Sequence, residues 1–187
     1  MENIFDKHEK MVAGLAKPGG EIIIGLNDQS MHNLHMAIGI IGEAAELVEA
    51  LLSGNRKHVV EELGDCFFYI TGLKINSGIK TCPVEYSDHY NYVSTGTIGV
   101  CMKVLLCSGF LLDSVKKQAI YCKQIDLEEA CLQLSIIENC ICKILKILGI
   151  SHEECLVANY KKLGERYENH QYSDEQAQQR KDKTDES

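Results

Sequence analysis

Apolar residues recur along this chain at intervals of three and four, and the stripes they make predict helices. From Met31 to Leu52, the residues Met36, Ile40, Ala44, Leu47, Val48 and Leu51 fall on one side of a helix, which Ser53, Gly54 and Asn55 close. Arg56 to Ser77 repeats the pattern with Val59, Leu63, Cys66, Ile70 and Leu73, and Gly78 stops it. Thr81 to Asn91 is polar and rich in Tyr, without helical period, and reads as a connector. Two further helices follow, Thr95 to Lys123 and Asp126 to Leu148, the second with Asp126 as N-cap and Gly149 as its stop. Ser151 is another N-cap, and Glu154 three residues on predicts a capping box for a helix ending near Glu168. Pro18 and Pro83 are the two prolines, and both stand outside these helices. The fold class is therefore all-α, a helical bundle over residues 1–172. Residues 173–187 are polar, lack large apolar side chains and are expected to be disordered.

Composition narrows the partners. The chain has 187 residues, 45% of them apolar, and a formal charge of −8. A chain of this length buries about 70% of its unfolded surface, so one soluble domain suits it. The acidic balance argues against a nucleic-acid partner, which needs a basic footprint to displace counterions from phosphates. No run of about 20 uncharged apolar residues occurs. The best stretch, Asn91 to Leu112, begins with polar residues and is interrupted by Lys103, so no membrane partner is expected. The opening MENIFDKHEKM is charged throughout and lacks the apolar core of a signal peptide, and a cytoplasmic location follows as the expectation. Nine cysteines are an odd number, and no C-x-x-C pair occurs. Cys66, Cys101, Cys107, Cys131, Cys140 and Cys142 sit in apolar runs and are expected to be reduced thiols packing as small hydrophobes.

The informative residues are acids placed where a core should be. Glu43 and Glu46 share one helix, Glu62 and Asp65 the next, and residues three apart point to the same side. Asp65 projects between Phe68 and Tyr69, and Glu62 borders the stripe of Val59, Leu63 and Ile70. Gly39, Gly42, Ala50 and Ser53 beside the first pair leave room for something other than a packed side chain. For either pair alone, a solvated surface position is the ordinary explanation; two pairs on consecutive helices, each bordered by apolar residues, outweigh it. If the helices pair as a hairpin, four carboxylates converge. Desolvating one ionised carboxylate costs several kcal/mol, so protonation or a cation must answer them. Oxygen ligands without His or Cys select Mg²⁺ or Mn²⁺.

A second constellation carries the opposite sign. Asn159, Lys162 and Arg166 are spaced i, i+3, i+7 on a later helix, a single arc beside Tyr160, Leu163 and Tyr167. In an acidic chain, cations gathered on one face suit an anion; Arg166 can fork onto phosphate oxygens and Lys162 act as a point charge. A solubilising helix face is the alternative, with the macrodipole favouring cations near a C-terminus.

GIIGEAAELVEAL followed by EELGDCFFYI resembles the MazG-like all-α nucleoside triphosphate pyrophosphohydrolases, whose signature is E-E-x-x-E, a spacer, then E-x-x-D. NYKKLGERYENHQYSDEQAQQR also resembles their N-x-x-K-L-x-x-R-Y segment and downstream Arg. The resemblance implies an all-α fold and hydrolysis of a nucleotide substrate between its α and β phosphates, giving a monophosphate and pyrophosphate with Mg²⁺. Carried over position by position, Glu43, Glu46, Glu62 and Asp65 would ligate the metal. Asn159, Lys162, Arg166, Tyr167 and Arg180 would contact the nucleotide. Glu46 or Glu61 would orient or deprotonate the attacking water. A non-catalytic helical binding module and a dimeric-dUTPase-type hydrolase are the alternatives. Gly42 stands where the family pattern has its first Glu, which leaves Glu46 with Glu49 as a second register, and 93 residues separate Asp65 from Asn159.

That long separation bears on assembly. GEAAELV at Gly42 lines up with GFLLDSV at Gly109, and ITGLKINSGI at Ile70 with ICKILKILGI at Ile141, four residues out of step. Chance similarity between helical segments accounts for these matches as well as a degenerate tandem duplication does. Under duplication, Phe110, Asp113, Gln133 and Ile136 stand opposite Glu43, Glu46, Glu62 and Asp65. The chain is then a monomer with a pseudo-repeat; otherwise it is a homo-oligomer. Among the remaining residues, His32 and His35 are assigned to packing or capping. Gly19-Gly20 is read as a turn lacking the Lys and Ser/Thr of a phosphate loop. Cys140 and Cys142 point to different sides of their helix.

Overall fold

The computed structural model describes residues 3–81 and 96–183. These form helices α1 (Ile4–Leu15), α2 (Gly19–Gly25), α3 (Asp28–Ser53), α4 (Arg56–Ser77), α5 (Thr97–Tyr121), α6 (Leu127–Leu148), α7 (His152–Arg166) and α8 (Asp174–Gln179). The described residues contain no strand, so the all-α expectation holds.

Two long hairpins make the core. α3 turns into α4 at Gly54, and α6 follows α5; α3 packs on both α4 and α5, and α7 lies against α4. The striped residues are the ones buried: Ile40 and Leu47 of α3, Leu63, Ile70 and Leu73 of α4, Leu111 of α5, and Leu134, Ile137 and Ile141 of α6. The predicted stops also form. Gly54, Gly78 and Gly149 end their helices with φ of 70°, 75° and 62°, a left-handed conformation that costs glycine nothing. α5 is long and apolar enough to cross a membrane by length and composition alone. Here its buried stripe, including Val100, Val104, Leu111 and Val115, packs against α3 and α6.

Several local expectations are corrected. Gly19-Gly20 is the first turn of α2, started by the Pro18 carbonyl, which accepts from the backbone of Glu21 and Ile22. α2 rests on the end of α5, where Lys17 Nζ donates to the Ile120 carbonyl at 2.6 Å. α1 buries none of its residues, although Ile4, Phe5, Met11, Val12 and Leu15 fall on one side of it. Ser151 caps α7 by accepting from the Glu154 amide at 3.0 Å, but the reciprocal half of the box is replaced. The Glu154 carboxylate instead forks with Arg56 at 2.5 and 3.2 Å, tying the first turns of α4 and α7 together. Of the six cysteines assigned to the core, Cys131 is half-buried and Cys142 exposed, while Cys140 is buried on the other side of the helix.

The polar tail is the largest departure. Residues 174–179 form α8, with Ser173 as N-cap, and Lys181–Lys183 adds a 3-10 turn. Composition missed this because the segment is held by charge: Asp182 pairs with Arg166 rather than burying apolar area. Residues 184–187 and, apart from Thr81, the Tyr-rich connector lie outside the described residues.

α7 sits close against α4 because position 64 is glycine. A Cβ there would stand 2.8 Å from the Cys155 carbonyl oxygen and 3.0 Å from Asn159 Cβ. Gly64→Ala is therefore expected to cost about 1–3 kcal/mol, as overpacking does, read from urea unfolding midpoints. A variant as stable as the parent would show that α7 is not pressed onto α4.

Candidate active site

Three helices converge on one cleft. α3 supplies Glu43 and Glu46, α4 supplies Glu61, Glu62 and Asp65, and α7 supplies Lys162 and Arg166 across from them. The cleft has a volume of about 400 Å³, and Tyr167 and Arg180 also line it. Asn159 stands behind it, donating to Asp65 Oδ1 at 2.6 Å. The ten residues picked out in the sequence are thus brought together from parts of the chain separated by α5 and α6.

The acids divide into a cluster and two outliers. Glu43, Glu62 and Asp65 each place a carboxylate oxygen within 4.8 Å of the others. Glu46, expected with them, is exposed and lines the cleft outside this cluster. Being one turn further along α3, it acts on Glu43 and Glu62 through its charge. Glu61 faces Lys162 instead, at 2.9 Å.

Glu62 carries the severest burial. The residue is 3% exposed; one carboxylate oxygen takes His58 Nε2 at 2.8 Å, and the other, Oε2, is buried with no amide, hydroxyl or cationic donor, so that only the proton of the neighbouring Glu43 carboxyl is left to this side chain. A buried acceptor left unmatched costs about 1–3 kcal/mol, more when charged. Burial, then the carboxyl of Glu62, then the charge of Asp65 push Glu43 up to about 8. Burial also raises Glu62; the hydrogen bond from the Glu43 carboxyl works to lower it, and the charges of Asp65, Glu46 and Glu61 add to the rise. Without a cation, the pair keeps a proton where isolated carboxylates have lost theirs. Three clustered carboxylates, one of them almost wholly buried, are the donor set of a hard divalent cation.

Cations are already present on the opposite wall. Lys162 bridges Glu61 and Asp65. Burial works to lower its pKa, but the hydrogen bond and charge of Asp65, then Glu61, outweigh this and raise it. Arg166 Nε and Nη2 fork onto Asp182 at 2.7 and 2.5 Å.

Aromatic side chains form the rest of the wall. Tyr69 lies across Gly39, whose absent Cβ would fall 2.2 Å from the ring. The space that small residues suggested beside the acids is filled there by Tyr69, and Ala50 is wholly buried; only Gly42 stays open. Tyr69 meets His35 and Phe68 edge-on, with centroids 6.1 and 5.2 Å apart. His32 instead bonds the Gly72 carbonyl at 2.9 Å, a packing role, while His35 is exposed and lines the cleft. Tyr167 and Tyr172 face the cleft from the other side. His58, Tyr172 and Asp182 were not anticipated. His58 could have been found from its place four residues before Glu62; the other two depend on how the tail folds.

The all-α bundle thus holds an acid cluster opposite a cationic helix face. Residues 29–81 match the family model described as MazG nucleotide pyrophosphohydrolase domain. The resemblance read from the sequence therefore holds over α3 and α4, which carry all five acids, and this segment is MazG-like. No curated protein and no solved structure matches the chain.

The raised carboxyls set a pH dependence. Because the folded state holds protons on Glu43 and Glu62 that the unfolded chain releases near its ordinary 4.5, metal-free stability falls as pH rises from about 5 toward 8. Thermal melts in EDTA are expected to show this fall, Glu43→Gln to flatten it, and Mg²⁺ or Mn²⁺ to raise the midpoint more at pH 8 than at pH 6. A parent and variant with the same pH profile would contradict the shared burial of the pair.

Proposed function

We propose that the protein is a divalent-metal-dependent nucleotide pyrophosphohydrolase, cleaving nucleoside triphosphates or related nucleotides between the α and β phosphates. The observation that carries this reading is the buried carboxylate of Glu62, crowded against those of Glu43 and Asp65, with Lys162 of another helix on Asp65. Glu43, Glu62 and Asp65 would hold Mg²⁺, or Mn²⁺ in its place. When bound, such an ion supplies charge stabilisation to phosphate oxygens and lowers the pKa of water.

The chain's own residues do the rest. Lys162, Arg166 and Arg180 put positive charge along the wall that the polyphosphate occupies, where the leaving pyrophosphate gathers negative charge. Asn159 holds Asp65 through one oxygen and fixes its rotamer. Glu46, exposed in the cleft and outside the acid cluster, takes the proton of the attacking water. Glu61 is tied to Lys162 and holds that ammonium over the site. Phe68, Tyr69, Tyr167 and Tyr172 offer flat faces to the base.

Acids and cations of one site come from a single chain here, which suits one site per chain without a partner's contribution. With Mg²⁺ and a panel of nucleotides, pyrophosphate release is expected, and Glu62→Gln is expected to lower it by about 100-fold or more, the upper range seen even for residues behind metal ligands. Tight nucleotide binding without turnover would instead identify a binding module. An equimolar mixture of Glu62→Gln and Lys162→Ala proteins is expected to stay inactive; recovered activity would place the two halves of the site on different chains.

A further inference from the structure

We infer that Asp182 is a positioning residue: it holds Arg166 so that the guanidinium meets a polyphosphate in the cleft. The inference rests on the nucleotide reading of that cleft. Asp182 takes Nε and Nη2 of Arg166, the whole of one edge of the guanidinium, in two parallel bonds of 2.7 and 2.5 Å. Such a fork fixes direction as well as distance, since the planar group cannot turn without breaking both bonds. The Asp182 side chain is 1% exposed and that of Arg166 16%, so water competes little for either.

Where the two partners face decides between two roles for the pair. Arg166 lines the cleft of the acid cluster, and Asp182 does not. Asp182 lines instead a neighbouring opening of about 520 Å³ on the other side of Lys162, together with Arg56, Glu154 and Lys161. The fork therefore joins a guanidinium that lines the acid cleft to a carboxylate that lies outside that lining. A carboxylate that occupied the phosphate position, and so blocked the site, would line the same cleft as the acids. Tyr167, with its ring centroid 6.0 Å from the Arg166 Cζ, adds a second restraint. Arg180, two positions before Asp182, lines the cleft from the same folded segment.

Asp182→Asn keeps the shape of the side chain and removes its charge. Binding of a non-hydrolysable nucleoside triphosphate with Mg²⁺, measured by calorimetry on the full chain, is expected to weaken about tenfold, the scale of one charged hydrogen bond. kcat/KM is expected to fall by at least the same factor, because the charge that Arg166 offers the leaving pyrophosphate counts in the transition state as well as in binding. Asp182→Glu is expected to keep most of the affinity. In an Arg166→Gln background, Asp182→Asn is expected to add less than about twofold, because residues that act through one another are not additive. Unchanged or tighter binding in Asp182→Asn would overturn the inference, the second outcome identifying a blocking contact. An equal loss in the Arg166→Gln background would also overturn it, showing a role in folding only. A parent protein that binds no nucleotide would defeat the nucleotide reading itself, and the inference with it.

Discussion

The carboxylates of Glu43, Glu62 and Asp65 are pressed together at the seam between two helices, and everything else about the site answers that crowding. Carboxylates with oxygens within 4.8 Å of one another, one of them almost wholly buried, are unfavourable in a folded chain. The protein meets part of the demand itself. His58 covers one oxygen of Glu62, Asn159 and Lys162 cover Asp65, and the Glu43 and Glu62 pair retains a proton. What is left over is the demand for a cation.

The rest of the bundle serves to keep this arrangement rigid. α5 packs on α3, with α6 on α5, so α3 cannot turn about its axis without opening the core around Ile40 and Leu47. α7 is pinned to α4 at two places, by the close approach at Gly64 and by the Arg56–Glu154 fork one helical end away. These contacts place Lys162 over Asp65. The second hairpin repeats the lengths of the first, yet the positions aligned with the acids hold Phe110, Asp113, Gln133 and Ile136, and Asp113 spends its charge on Lys116 and Lys117. That half serves as scaffold.

What could be read in the sequence divides along a physical line. The long helices and their glycine stops were legible because burial imposes a period on the chain, and the acids were legible because they interrupt it. Glu62 at 3% exposure is such an interruption. The cationic arc of Asn159, Lys162 and Arg166 was visible for the same reason, as one face of one helix. Features that depend on distant partners were not. The Tyr69 ring on Gly39, the Glu154 side chain taken by Arg56, and α8 held by Asp182 all involve residues far apart in sequence or on different elements. α1 was missed although Ile4, Phe5, Met11, Val12 and Leu15 keep a helical spacing.

The central claim is a divalent ion among the three carboxylates, and anomalous diffraction from crystals grown with Mn²⁺ tests it most directly. The account predicts a single strong peak bounded by Glu43, Glu62 and Asp65, absent in crystals of Glu62→Gln. Crystals that show those carboxylates together with no peak between them, at a Mn²⁺ concentration that saturates the protein in solution, would contradict it.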